Sequence, residues 1–184
     1  MLISKESTMY RIATGIFISF AHHVKGHSGP CISLHGHTWK FEVALCASKL
    51  DSEGFVVDFS LLRKKVLTPC HALLDHSLAM GEETWAKNKD FLAPIGADIV
   101  GSRTDATGGG EAQSTLIGEL GGARNEFPGG IKVTVFPFNP TSERLAEWLH
   151  GIATAQMEDG RVKVDAARVY ESLHPVESVA EFRA

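Results

Sequence analysis

The sequence predicts an α+β fold with an antiparallel sheet. Runs with strand character stand near both ends of the chain, and two helical patterns lie between them. The order is strand, strand, helix, a long glycine-rich stretch, then strand, helix and strand. It lacks the regular alternation that builds a doubly wound parallel sheet. At 184 residues, against about 150 per domain, residues 1–184 are expected to form a single domain with a core of its own.

The elements follow in order. Residues 10–21 are rich in Ile and Phe and suit a sheet. Residues 25–30 hold Gly26, Gly29 and Pro30 and read as a loop. Residues 39–45 alternate large apolar side chains with others, the period of a half-buried strand. After a turn at 51–54, Asp58 predicts a helix N-cap. Leu61, Leu62, Val66 and Leu67 follow it at helical spacing. Residues 81–130 hold eleven of the 18 glycines and read as a Gly-rich insertion, either a tolerated surface excursion or a functional lid. Strand character returns at 131–136 and stops at Pro137 and Pro140. Thr141 predicts a second N-cap, and Glu143 suits the positive end of the helix dipole. Leu145, Trp148, Leu149 and Ile152 share one face of that helix. Residues 161–170 predict a further strand, with 176–182 paired to it.

Composition excludes several classes. Hydrophobic residues at 43% and charged residues at 22% argue against disorder, collagen and coiled coil. A net charge of -4 and a pI near 6.1 predict neither a nucleic-acid patch nor a polybasic membrane anchor. The apolar run at 12–24 is interrupted by Thr14, Ser19, His22 and His23 and falls short of the ~20 residues of a membrane span. The first residues lack a signal-peptide core. The three cysteines, Cys31, Cys46 and Cys70, are odd in number and form no CxxC, which predicts a reducing compartment. The expectation is a soluble, cytoplasmic protein with no nucleic-acid or membrane partner.

Five of the nine histidines (His22, His23, His27, His35 and His37) fall within sixteen residues. In a strand, His35 and His37 point to one face. An antiparallel partner strand would bring His22 to them, and three neutral imidazoles with an open fourth position is the arrangement of a catalytic zinc site. His23 is the alternative first ligand, and His27 sits in the loop as an outer contact or an exposed side chain. Gly36 leaves room for a close approach. Cys31 is either a small buried thiol or a base or nucleophile beside the metal; Cys46 and Cys70 suggest no chemistry. Asp75-His76 is either a histidine oriented by a carboxylate for proton transfer or a surface pair. Glu171 closes the last long strand, where a carboxylate can grip an amidine-like ring edge through two parallel hydrogen bonds or simply face solvent.

Six segments in order resemble one family: Ala21-His22; Cys31-Ile32-Ser33-Leu34-His35-Gly36-His37; Gly54-Phe55-Val56-Val57-Asp58-Phe59; Leu74-Asp75-His76; Pro140-Thr141-Ser142-Glu143; and Tyr170-Glu171. The family is that of 6-pyruvoyl-tetrahydropterin synthase and 6-carboxytetrahydropterin synthase. The resemblance implies Zn2+ on His22, His35 and His37. It implies catalytic roles for Cys31, Asp75 and His76, and a pterin anchor at Glu171. It also implies the tunnelling fold, an antiparallel sheet with two helices on one face that closes into an oligomeric barrel. A homohexamer is expected, with active sites at subunit interfaces and 7,8-dihydroneopterin triphosphate as substrate. The Cys31–His35 spacing and Val57-Asp58-Phe59 resemble the queuosine-pathway branch, which makes 6-carboxy-5,6,7,8-tetrahydropterin, acetaldehyde and triphosphate. The 6-pyruvoyl-tetrahydropterin synthase reaction and a non-catalytic zinc-binding relative are the alternatives. Ser172 where the family has Thr, Phe20 where a small residue is common, and the insertion depart from the pattern.

Overall fold

β1 (Tyr10–His22) and β2 (His35–Ala47) form a long antiparallel hairpin, with Tyr10 opposite Ala47 at one end and His22 opposite His35 at the other. These coordinates are a computed structural model and describe residues 9–92, 113–115 and 131–184. Alternation explains the hairpin. Trp39, Phe41, Val43 and Leu45 are fully buried on one face of β2, while Thr38, Lys40 and Glu42 point the other way. β6 (Val162–Ser172) pairs antiparallel with β2 through a bulge at Ala44/Leu45, and β7 (Ser178–Phe182) closes that edge.

On the other side of β1 lie β3 (Ser77–Gly81), β5 (Lys132–Phe136) and β4 (Gln113–Thr115). The seven strands run in the order β4-β5-β3-β1-β2-β6-β7. The α+β class holds, but the sheet is mixed rather than wholly antiparallel, because β1–β3 and β3–β5 are parallel pairs. Parallel neighbours require long connections. Here helical segments lie in the chain between the members of each pair.

α1 (Phe59–Leu62) runs through a π turn (Arg63–Leu67) into α2 (Thr68–Leu74). The Asp58 carboxylate accepts the Ser60 N–H at 2.6 Å and so satisfies a donor of the first turn. Pro69 cannot donate to the carbonyl four residues back, and the wider turn ahead of it absorbs the ring. α4 (Ser142–Met157) starts where expected, with the Thr141 hydroxyl accepting from Arg144 N–H at 3.4 Å. Leu62, Val66, Leu67 and Leu74 share one core with Leu145, Trp148 and Leu149 of α4 and with Ile18, Phe20, Trp39 and Phe41 of the sheet. Ile152 packs partly buried against it. Phe20 stacks on Trp39 with ring centroids 4.6 Å apart. Burying each such aliphatic or phenyl side chain stabilises by about 1.5–3 kcal/mol.

A third helix departs from the expectation of loop over 81–130. α3 (Glu82–Leu92) packs Trp85 and Leu92 beside Met80, Val133 and Val135. Those residues alternate with Ala79 and Phe136 of the main core, so α3 covers the opposite face of β3 and β5. The glycines of the stretch fall outside 82–92, and Glu82 and Glu83 occupy the favourable first turn. The rest of the expected insertion, apart from β4, lies outside the described residues. No described helix is long and apolar enough to cross a membrane.

Candidate metal centre

The hairpin register sets His22 directly across from His35, and His37 follows two residues along on the same face. One ring nitrogen from each, together with a carboxylate oxygen of Glu171, lie within 4.8 Å of one another. His22 Nε2 is 3.1 Å from His35 Nε2. Glu171 Oε1 is 3.4 Å from His22 Nε2 and 3.6 Å from His37 Nε2. His22 is fully buried (0% exposed), and Trp39 packs edge-on against both His22 and His37.

Backbone carbonyls fix the rings. His22 Nδ1 faces the Pro140 carbonyl at 2.9 Å, and His35 Nδ1 faces the Ser33 carbonyl at 2.8 Å. A carbonyl only accepts, so both Nδ1 atoms carry the proton and both Nε2 atoms present lone pairs in the neutral rings. Two lone pairs 3.1 Å apart repel unless a cation stands with them. His37 Nε2 is buried and has no hydrogen-bond partner among the described residues. The inward atoms are thus electron-pair donors beside a carboxylate, with carbonyl partners behind two of the rings. This donor set fits a divalent metal. Burial above all, with the His22 and His35 rings adding to it, holds the His37 imidazole below its ordinary range against the pull of Glu171.

Of the two first-ligand candidates, His22 joins the cluster and His23 does not. His23 keeps a buried Nε2 without a partner among the described residues, and its imidazole is held low mainly by burial. His27 accepts the Gly29 N–H at 2.9 Å and braces its own loop. A Cβ on Gly29 would stand 2.6 Å from the His27 ring. Gly36 is less constrained than expected, since an added Cβ there meets only ordinary contacts.

Cys31 sits half-buried in a short 3-10 turn (Pro30–Ile32). It lines a cavity of about 370 Å³ with His35, His37, Glu171 and Ser178. Cys70 is buried and its thiol is pushed up to about 12, while burial raises Cys46; neither joins the cluster.

Asp75 and His76 stand apart. Asp75 caps the C-terminus of α2. Its carboxylate accepts from His76 Nδ1 at 2.7 Å and from Ser19 N–H at 3.2 Å. Against the burial that raises it, these bonds hold Asp75 below its ordinary range. The Lys132 ammonium donates to the Ala72 and Asp75 carbonyls at 2.6 and 2.9 Å, tying down the end of the helix. His76 has φ 59, and its side chain is 85% exposed. It borders a second cavity of about 480 Å³ whose walls include Ser19, Ala21, Gly36 and Thr38, and also His37 of the cluster. Ser19, Ala21, Gly36 and Thr38 alternate with His22, His35 and His37 and belong to the other face of the sheet, while His37 stands in the wall of both cavities.

The sequence held no signal for the Pro140 and Ser33 carbonyls, because backbone acceptors have no residue type. Lys132 could have been noticed only as a lysine opening an apolar strand.

Residues 11–183 match the family described as 6-pyruvoyl tetrahydropterin synthase, and the chain belongs to that family. Over 86 residues it is 31% identical to the 6-carboxy-5,6,7,8-tetrahydropterin synthase of Bacillus subtilis, covering 46% of this chain and 56% of that protein. Over 99 residues it is 28% identical to the protein of the same name from Rickettsia typhi, covering 54% of this chain and 72% of the relative. The matched stretches thus span between about half and three quarters of these relatives. An uncharacterized protein from Wolinella succinogenes has the same fold, with a TM-score of 0.73 at 24% identity over 96% of this chain and 99% of that one. The 6-pyruvoyl tetrahydropterin synthase of Caenorhabditis elegans aligns with a TM-score of 0.55 at 13% identity over 96% of each chain.

Proposed function

We propose that the chain is a zinc-dependent 6-carboxy-5,6,7,8-tetrahydropterin synthase, a carbon–carbon lyase of queuosine biosynthesis in the cytoplasm. It converts 7,8-dihydroneopterin triphosphate and water into 6-carboxy-5,6,7,8-tetrahydropterin, acetaldehyde and triphosphate. The observation that carries this reading is the set of inward ring nitrogens of His22, His35 and His37, with Cys31 on the rim of a cavity that His35 and His37 also line. The names of the curated relatives support the branch.

His22, His35 and His37 would hold the zinc through Nε2. The chemistry such an ion supplies when bound is Lewis-acid polarisation of the substrate's side-chain oxygens. Cys31 Sγ takes a proton from the substrate's side chain. His76, its Nδ1–H held by Asp75, moves protons through Nε2 from the other side. Glu171 holds the pterin N3–H and 2-amino group through paired hydrogen bonds. Cys31 and His76 border two different cavities, and neither lines the other's. The reading therefore completes each site with His76 from a neighbouring subunit, within a homohexameric barrel. The chain is one domain, with residues 81–130 as an insertion.

Zinc-loaded protein given 7,8-dihydroneopterin triphosphate is expected to release acetaldehyde and the carboxypterin, read by mass spectrometry. A pyruvoyl product without acetaldehyde would assign the sister reaction instead. No turnover from the zinc-loaded protein would leave a non-catalytic zinc-binding relative.

A further inference from the structure

We infer that Asn139 is a positioning residue of the metal centre, acting through His22. This rests on the metal-binding reading above. The chain leaves β5 at Phe136 and enters α4 at Ser142. Between them, residues 137–141 pass beside the end of β1. There the Pro140 carbonyl takes the Nδ1–H of His22, 118 positions away in sequence. Asn139, next to Pro140, grips Lys25, three residues beyond His22. Its side-chain oxygen accepts the Lys25 N–H at 3.1 Å, and its amide nitrogen donates to the Lys25 carbonyl at 3.1 Å. Its own carbonyl accepts the Thr141 N–H at 2.8 Å, next to the cap of α4.

These bonds close a ring. It runs from His22 along the chain to Lys25, across to Asn139, on to Pro140, and back to the His22 imidazole. A carboxamide offers a peptide both a donor and an acceptor from one planar group, and asparagine does so on a short stem. Without the clamp, the hydrogen bond among the described residues that still ties the segment carrying the Pro140 carbonyl to the end of β1 is that of His22. The ring then holds its tautomer and direction less firmly. Partners behind a ligating histidine typically set metal affinity by about tenfold to hundredfold.

The test is zinc affinity, measured by competition with a chromophoric chelator for wild type, Asn139→Ala, Asn139→Asp and His22→Ala. The cobalt(II) visible spectrum of each and the circular dichroism of each metal-free protein accompany it. Asn139→Ala is expected to weaken zinc binding by about tenfold to hundredfold with the metal-free fold intact, and to alter the cobalt band. Asn139→Asp keeps the acceptor for Lys25 N–H but loses the donor, and should fall between. Wild-type zinc affinity in Asn139→Ala overturns the inference, even if its metal-free melting temperature drops. Should Asn139→Ala fail to fold, wild-type affinity in Asn139→Asp overturns it. A wild-type protein that takes no zinc, or a His22→Ala protein that takes it undiminished, refutes the metal centre itself.

Discussion

The histidines of the hairpin and the histidine that follows α2 stand in opposite circumstances on one sheet. His22 is wholly enclosed, with one ring nitrogen on a carbonyl and the other facing the cluster. His76 is largely in solvent, with a left-handed backbone and one side-chain bond, to Asp75. The first arrangement finds its supporting partners within this chain. The second offers a ring nitrogen to whatever arrives on the other face. Enclosure suits an ion that must be held in place. Exposure suits a proton carrier whose substrate comes from outside the subunit.

The sharpest way to break this contrast is to remove ligands. His35→Ala or His37→Ala should lower zinc affinity by about a thousandfold, equivalent to ~4 kcal/mol, while His76→Ala leaves it unchanged in a calorimetric titration. Loss of zinc in His76→Ala would merge the two regions. The next effect is on turnover. Cys31→Ala and His76→Ala should each lose about 10²–10⁴-fold in product formation. Reassembling the two variants into mixed oligomers should restore part of it, because some interfaces then receive both intact groups. No restoration would return both residues to one subunit.

The smallest effect concerns a histidine outside both regions. His150 of α4 is buried against Phe182, its Nε2 without a partner among the described residues, and Thr154 faces its Nδ1. Burial holds its imidazole low, against the pull of Glu158. The unfolded chain therefore binds the proton more readily below about pH 6.5. The stability from keeping this ring neutral is present above that value and declines as pH falls through the lower folded pKa. Melting temperatures of the metal-free protein at pH 7.5 and 5.5 should converge in His150→Leu by a few degrees relative to wild type. An unchanged gap would exonerate His150.

Much of this was legible in residue types. The alternation of β2, the caps at Asp58 and Thr141, and the helical face of α4 are local patterns, and local patterns survive folding here. Three site histidines were legible because a strand period and a hairpin suffice to bring them together. β3 was not, because five residues without strong β-branching acquire their strand only by pairing with distant β1 and β5. α3 was hidden by glycines on either side of it. Glu171 was recognisable as a strand-end carboxylate, but its distance from the histidine nitrogens depends on the β2–β6 register and its bulge. The separation of His76 from Cys31 follows from which cavity each lines, and sequence spacing does not encode that.

The histidines of β2 occupy the same alternate positions as Trp39, Phe41, Val43 and Leu45. Donor atoms and hydrophobic core are thus written in one frame. A single residue gained or lost within 38–44 would send either the rings or the apolar side chains to the wrong side of the sheet, since a strand's faces swap with every step. The site and the packing that carries it are therefore inherited together.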